Sequence, residues 1–478
     1  MNKTLIIIQH FLNVSFKNKA FTVLYAIWLL LILFSAYTGY KTYASQNEIR
    51  KEFQHQARQS WVNNPDKHPH RMAHFGSFAF RLKHPLSMYE YGLESYTGNA
   101  VFLEAHKQNT INFSEASFST GLLRFGEISL SFLVRVLLPL ILFFLGFAVI
   151  SQLKENGTLK MLLIQCGSFR TIIWGNSIGL FLVSLIFITP LLLAVGIQLL
   201  LLPAFTEPIL LHTAILLTAA VIYLWIVSVV AVCISALSNS SRASLLKLLG
   251  IWLLMVIVLP KTLQAIGSYI HPASGKIEFE TAVGKAILTV GDSHNPNDPH
   301  FKFLKDSVLK ANGVESTDDL PFNFSGFQMR EGERLSTEIY AHHLQGLFDL
   351  YQRQNNISYL AAYIDPFLAV KNVNMAFSGT DLMSYRHFQQ EAEAYRYKLA
   401  QTMNQLQIDN ISNKKTGQNE KPQTIEKHHW EDFDDFAYKQ PSLGNIIAEQ
   451  RNAIVAILLW LLISFSFILY SSKMAKAI

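Results

Sequence analysis

Three histidines stand close together in the segment HPHRMAH, at positions 68, 70 and 74. If residues 70–74 are helical, His70 and His74 share one face, a spacing that can hold a transition metal. His106, in LEAHKQN, is a candidate third ligand. No carboxylate or cysteine at a standard spacing completes this set. The sequence therefore favours structural hydrogen bonding by histidines beside aromatic residues, and a metal site at His70, His74 and His106 is the alternative.

A second chemical group is Arg135, which lies about seven residues into an apolar run. An unpaired arginine at the centre of a membrane costs up to roughly 3 kcal/mol. Arg135 therefore either lines a substrate pathway or a dimer interface, or its long side chain extends to the outer head groups. The sequence favours the second interpretation.

The third candidate is a polar and basic segment, SQLKENGTLKMLLIQCGSFR, between two apolar runs at residues 151–170. Its pattern of apolar and polar residues predicts a short amphipathic helix. Glu155 and Lys160 can pair with charges on a partner, and Gly157 allows close backbone approach. Three leucines, Leu159, Leu162 and Leu163, supply an apolar face. The alternative is an ordinary interfacial helix.

The motifs of common enzymes are missing from the chain. It has no GxxxxGK[ST], HExxH, GxSxG or CxxC pattern, so we predict no catalytic residue, no bound cofactor and no enzyme activity. The net charge is +6, but the basic residues flank apolar runs instead of forming one stripe. The charge is thus explained by a membrane, without nucleic acid as a partner.

Half of the 478 residues are hydrophobic and only 15% are charged, and the apolar residues are concentrated in blocks. A bilayer core needs about 20 helical residues, and six blocks are long enough. They cover residues 21–40, 128–150, 171–202, 209–237, 245–264 and 453–471, the last within a segment 452–478 that ends in a short tail. The third block contains Pro190 and is predicted to be one kinked or tilted helix.

Lysines and arginines set the orientation of these spans. They precede the first span, lie between spans two and three and between spans four and five, and follow the sixth. The positive-inside rule places these segments and both termini in the cytoplasm. Residues 1–20 then form a cytoplasmic interfacial helix, and 41–127 and 265–451 are two large inserts on the opposite side.

The inserts contain long patterns with helical periodicity, such as SQNEIRKEFQHQARQSWV, GERLSTEIYAHHLQGLFDLYQRQ and TDLMSYRHFQQEAEAYRYKLAQTMNQL. Their apolar and aromatic residues recur near every 3.6 positions. We therefore predict an all-α membrane protein with six transmembrane helices and a mostly helical extracytoplasmic domain built from both inserts.

The segment Glu-Asn-Gly-Thr-Leu at 155–159, between spans two and three, resembles the coupling helix of membrane permeases of the second class of ATP-binding-cassette exporters (ABC-2 type). Glu155, Gly157, Thr158 and Leu159 match the common pattern of that helix. Both inserts also look like those of an uncharacterised branch of these permeases with two large periplasmic inserts. The resemblance extends over nearly the whole chain.

This resemblance implies the permease subunit of an ABC exporter-type complex in a bacterial inner membrane, moving an unknown substrate. A separate ABC ATPase subunit would carry ATP and Mg, and a second copy of this chain or a related permease would complete the pathway. The implied ATPase-coupling residues are Glu155, Gly157, Thr158, Leu159, Lys160, Leu162 and Leu163. The alternative is a mechanotransmission complex, in which the ATPase moves the periplasmic segments to act on a periplasmic protein without transport.

Overall fold

The computed structural model describes residues 3–109, 127–202, 207–295, 297–414 and 423–476. It is 76% helical and has almost no strand. Six helices in these ranges are long and apolar enough to cross a membrane. The prediction of an all-α protein with six membrane spans is therefore confirmed.

The six spans are α2 (Lys19–Val62), α4 (Leu130–Glu155), α6 (Phe169–Leu200), α7 (Glu207–Leu237), α8 (Ser241–Ile270) and α16 (Arg451–Met474). The third span is one continuous helix through Pro190. Spans α4 and α8 each contain a wider π-helical turn, at Leu133–Leu137 and Leu254–Val258, and Pro139 and Pro260 follow closely. A π turn accommodates the missing proline N–H, so both spans have a built-in irregularity.

Span α7 forms the centre of the bundle and packs against α4, α6 and α16. Of its most apolar stretch, 61% is buried inside the protein, whereas only 11% of the corresponding stretch of α8 is buried. Apolar side chains of α8 are thus left for lipid or another protein to cover.

The N-terminal helix α1 (Lys3–Lys17) packs on the beginning of α6. Its buried Ile7 and Phe11 lie against Gly175 and Gly179, where an added Cβ atom would approach these side chains to within 3.0 Å. Small residues four apart allow two helices to approach closely. A helix within residues 1–20 is therefore present, and it is packed on the spans.

Helix α2 has 44 residues, which at 1.5 Å per residue is a length of roughly 66 Å. The first predicted span and the predicted helix that follows it are one element. At its far end, Trp61 enters an apolar core with Trp430, Leu399 and Met403. The Trp61 indole N–H donates to the Trp430 carbonyl at 2.9 Å, so α2 connects the membrane directly to the distal part of the inserts.

We call the described part of residues 41–127 and 265–451 the polar domain. Its helices are α3 (Pro69–Phe75), α9 (Lys276–Val290), α10 (Pro299–Asn312), α11 (Phe324–Ala361), α12 (Pro366–Phe377), α13 (Leu382–Asn410), α14 (His428–Glu431) and α15 (Leu443–Glu449). Strands β1 (Ser77–Phe80) and β2 (Ala100–Leu103) pair antiparallel. The predicted helical patterns become α11 and α13, which pack along each other, and α12 returns to contact spans α7 and α16.

Candidate functional site

The segment between spans two and three folds as the end of α4, a tight turn and the short helix α5 (Leu159–Cys166). Gly157 in the turn has a φ of +71°, in the left-handed region that favours glycine. Apart from the two neighbouring residues of the chain, no described atom lies within 4 Å of the position of an added Cβ. Its backbone conformation, and not crowding within this chain, therefore requires a glycine here.

Two adjacent charged residues attach this segment to the turn between spans four and five. The Lys154 ammonium donates to the carbonyl oxygens of Ala236 and Ser238, at 2.5 and 3.1 Å, where α7 ends. The Glu155 carboxylate accepts from the backbone N–H and hydroxyl of Ser241, at 3.1 and 2.5 Å, where α8 begins. A cation at a helix C-terminus and an anion at an N-terminus both match the helix dipole. We call these contacts the latch.

Helix α5 presents a different apolar face from the one predicted. Leu159 is buried, and Leu162 and Leu163 are half-buried against the apolar core of the spans. The side chains left outside are Met161 and Ile164, at 60% and 85% exposure. They are one turn apart on the helix, and the exposed Lys160 precedes them. Met161 and Ile164 form the α5 surface, which the sequence could not distinguish from the inward-facing leucines.

Arg135 lies inside the protein. Its guanidinium is 2.9 Å from Oε2 of Glu90, and both side chains are less than 10% exposed. Glu90 also accepts from the Ser131 hydroxyl at 2.7 Å, and the guanidinium lies over the ring of Phe367. The arginine therefore joins span α4 to the first insert and to α12, and its guanidinium is buried inside the protein. A pathway or dimer-interface role for Arg135 stays a prediction.

The three predicted metal ligands meet in the polar domain. One ring nitrogen from each of His70, His74 and His106 lies within 4.8 Å of the other two. Helix α3 places His70 and His74 on one face, as the sequence predicts. His68 has a structural role instead, because its Nδ1 accepts from the backbone N–H of His70 at 3.2 Å and caps α3.

A tight turn brings His106 to this helix. Gly76 ends α3 with a φ of +68°, and an added Cβ would lie 2.7 Å from the Leu103 carbonyl oxygen. The chain then forms β1 and returns along β2, and the Ala105 N–H donates to the Ala73 carbonyl at 3.2 Å. Because the strand pair runs antiparallel, the residue after Ala105 is placed beside α3.

His106 is held by a buried carboxylate. It has a φ of +63°, which is uncommon for a residue with a Cβ. Oε2 of Glu333 accepts from its backbone N–H at 2.9 Å and lies 3.2 Å from its Nδ1. Its other ring nitrogen, Nε2, and Nδ1 of His70 are buried without a hydrogen-bond partner in the described part of the chain.

The pKa values of His70 and Glu333 are both shifted by their surroundings. Burial and the neighbouring histidines lower the pKa of His70 to about 4, which keeps its ring neutral at neutral pH. Burial alone would raise the pKa of Glu333, but the His106 hydrogen bond and the Arg396 charge lower it to about 2. Glu333 is thus an anion beside the His106 ring.

Arg396 completes this buried network. Its guanidinium contacts Oε1 of Glu333 at 2.6 Å and Oε1 of Glu393 at 2.8 Å, and the side chains of Arg396 and Glu333 are fully buried. It also donates to the Glu104 carbonyl and to the Thr337 hydroxyl. The network therefore joins α11 and α13 of the second insert to the segment of the first insert that carries His106.

A half-open cleft of about 870 Å³ lies where span α8 meets the polar domain. Val256, Pro260 and Leu263 give it an apolar wall, and the lining also contains Lys261 and Lys371. Further polar groups come from α11 through Gln354, Asn355 and Tyr351. The sequence did not indicate this cleft, because its lining residues are separated along the chain.

A family model for a domain of unknown function (DUF3526) matches residues 276–439. This segment lies within the second insert, from the first residue of α9 to just before α15, and includes Glu333 and Arg396. His70, His74, His106 and the spans lie outside it. No curated protein matches the chain.

Proposed function

We propose that this protein is the membrane subunit of an ABC exporter-type complex, which uses ATP hydrolysis by a separate ATPase subunit to move a substrate across a bacterial inner membrane. Its termini and the α5 segment face the cytoplasm in this proposal, and the polar domain is periplasmic. The support is the resemblance of the segment Glu155 to Leu159 to ABC-2 coupling helices, together with the six spans.

The latch is the observation that carries this proposal. A helix that receives force from an ATPase must pass it to the spans, and Lys154 and Glu155 connect the α5 segment to the ends of spans α7 and α8. Helix α5 is also followed within three residues by span α6. Displacement of α5 is thus delivered to spans α6, α7 and α8 together.

The α5 surface is the docking point in this proposal. Met161 and Ile164 are exposed apolar side chains on a short helix, suited to a cleft on a soluble subunit in the way that an amphipathic helix fills a groove. Gly157 and Thr158 immediately precede this helix, and Lys160 lies in its first turn. All three would therefore lie at the edge of the same contact. ATP and Mg would be bound by the partner alone.

Replacing both Met161 and Ile164 with aspartate is expected to weaken binding of the ATPase by at least about 30-fold, because truncating an interface hot spot costs 2 kcal/mol or more. The test is co-purification from membranes that co-express this chain with ATPase subunits encoded in the same genome. Met474→Asp is the matched control, since Met474 is exposed at the end of the sixth span. Equal ATPase recovery with the double variant and the control would reject the docking role.

Breaking the latch has a separate expected outcome. Glu155→Gln leaves the α5 surface intact but weakens the contact with Ser241. We expect the ATPase to co-purify as with the wild-type chain, while the membrane subunit no longer stimulates its ATP hydrolysis. Loss of co-purification with Glu155→Gln would instead place Glu155 in the docking contact itself.

Transport is the first candidate for the work performed, and the cleft favours it. Lys261 and Lys371 beside an apolar wall match a substrate with an apolar body and an anionic group. In vesicles reconstituted with the ATPase, ATP-dependent accumulation of a labelled amphiphilic anion is expected, and it should fall when both lysines are changed to glutamine. Stimulated ATP hydrolysis without accumulation would argue against transport.

Mechanotransmission is the second candidate, and helix α2 favours it. One unbroken helix runs from the first span to the core around Trp61, and its Arg58 donates to the carbonyls of Glu431 and Phe433. Movement of the span is therefore transmitted to the distal polar domain. Stimulation of ATP hydrolysis by a purified periplasmic protein, without vesicle accumulation, is the result that supports this candidate over transport.

A further inference from the structure

We infer that His70, His74 and His106 form a binding site for a divalent late transition-metal ion, Zn²⁺ in the first instance. The inference is independent of the proposed function, because the site lies in the polar domain and contacts neither α5 nor the latch. On a straight α2, the 22 residues after Tyr40, up to Val62, extend it roughly 33 Å beyond the predicted first span, and α3 follows this end. The ion is therefore remote from any path between the spans.

The donor set is the first argument. Three imidazoles are ligands that Zn²⁺, Cu²⁺ and Ni²⁺ prefer, and catalytic zinc sites often keep three protein ligands and one open position. The three ring nitrogens lie within 4.8 Å of one another. Two nitrogens bound to tetrahedral zinc at about 2.0–2.1 Å are roughly 3.3 Å apart. Zinc binding therefore requires the ring nitrogens to move closer together by up to about 1.5 Å.

The support around His106 is the second argument. Metal-bound histidines usually give their other ring N–H to a carboxylate, a backbone carbonyl or water, which orients the ring. Glu333 occupies this place, 3.2 Å from Nδ1, and is itself fixed by Arg396 at 2.6 Å. Nε2 of His106 is left without a hydrogen-bond partner among the described residues, on the ring edge opposite Nδ1. The uncommon backbone conformation of His106 is the kind of local strain that ligand sites retain.

Access to the site is the third argument. His74 is exposed, and His70 and His106 are half-buried. The site therefore has one ligand, His74, at the protein surface. The exposed His294 lies beside His106, with ring centroids 4.9 Å apart. The fourth position is thus available to water or to a rotated His294.

The consequence for the polar domain is a connection between the two inserts. The three ligands belong to the first insert, at α3 and after β2, whereas Glu333 and His294 belong to the second. An ion at the three histidines fixes α3 to the β2 segment. Through the His106–Glu333 contact, it also holds this segment on α11.

The test uses the full-length protein purified in detergent through a tag without histidine and stripped with a chelator. After addition of Zn²⁺ and gel filtration, we expect one zinc per chain by elemental analysis and a higher melting temperature than for the stripped protein. Co²⁺ in its place should give the intense visible absorption of a tetrahedral site. Competition between Zn²⁺ and Cu²⁺ identifies the preferred ion, and either one bound at this stoichiometry supports the site.

His74→Ala is the decisive variant, because His74 is exposed and its loss leaves the core unchanged. We expect a loss of affinity greater than about 100-fold, the upper range for losing only a supporting contact, with the melting temperature of the stripped protein unchanged. The control changes both His428 and His429 to alanine, a surface pair with ring centroids 4.0 Å apart, and should bind like the wild type. The inference is overturned if wild-type protein binds no stoichiometric ion, or if His74→Ala binds as tightly as wild type.

Discussion

Replacing Arg396 with methionine is expected to destabilise the polar domain by about 3–5 kcal/mol, the usual cost of removing one partner from a buried ion pair. The change leaves Glu333 and Glu393 facing each other without the guanidinium that contacts both carboxylates. It also removes hydrogen bonds to the Glu104 carbonyl and the Thr337 hydroxyl. At about 2–4 °C per kcal/mol for 150–250 residues, the melting temperature should fall by roughly 6–20 °C.

The matched control is Arg334→Met on helix α11. Arg334 also contacts two carboxylates, Glu331 and Glu338, but its side chain is 42% exposed. Solvent-exposed pairs contribute at most about 1 kcal/mol, so this variant should unfold close to the wild-type temperature. Adding Glu333→Gln to Arg396→Met should recover much of the loss, because it removes one of the unpaired charges. Equal melting temperatures for the two arginine variants would show that burial does not control this network.

The second large effect is expected for Glu90→Gln. This change leaves the guanidinium of Arg135 charged and buried at the start of span α4, without the carboxylate that lies 2.9 Å away. The cost of an uncompensated buried charge is about 3–5 kcal/mol. Fluorescence-detected gel filtration of heated detergent extracts should therefore show aggregation of this variant at a clearly lower temperature than for the wild-type chain.

Glu280→Gln provides the comparison for Glu90→Gln, since it makes the same chemical change in an exposed pair with Lys276. We expect Glu280→Gln to leave the aggregation temperature almost unchanged, because exposed ion pairs contribute little to stability. Combining Glu90→Gln with Arg135→Met removes both charges and should restore much of the thermal stability. If the single Glu90 variant behaves like Glu280→Gln, then the Glu90–Arg135 pair does not hold the first insert on the span.

The six spans were predictable because each needs only a long apolar block, which is a local property of the chain. The helices α11 and α13 were predictable for the same kind of reason, since their apolar residues repeat with the period of a helix. The continuity of α2 was less evident. Its composition changes from apolar to polar after residue 40, although nothing in the sequence breaks the helix there.

In the candidate sites, too, the local features could be predicted from the sequence and the contacts between distant residues could not. Residue types and spacing placed His70 and His74 on one face of a helix and made His106 a candidate third ligand, although the sequence favoured structural hydrogen bonding over a metal site. The structure brings all three histidines together. Glu333 was not predicted to support His106, because 227 positions separate them. The partner of Arg135 was not predicted either, because Glu90 lies in the first insert, 45 positions away, and approaches span α4 only when the chain is folded.

The sequence by itself determined the membrane class, the number of spans and the helical inserts, because these depend on periodicity and on the length of apolar runs. Only the tertiary structure decided which side of α5 is outside, that Glu155 is held by Ser241, and that Glu333 and Arg396 support the histidines. The physical reason is that burial and ion pairing are properties of neighbours in space. Residues far apart in the chain become such neighbours only through packing.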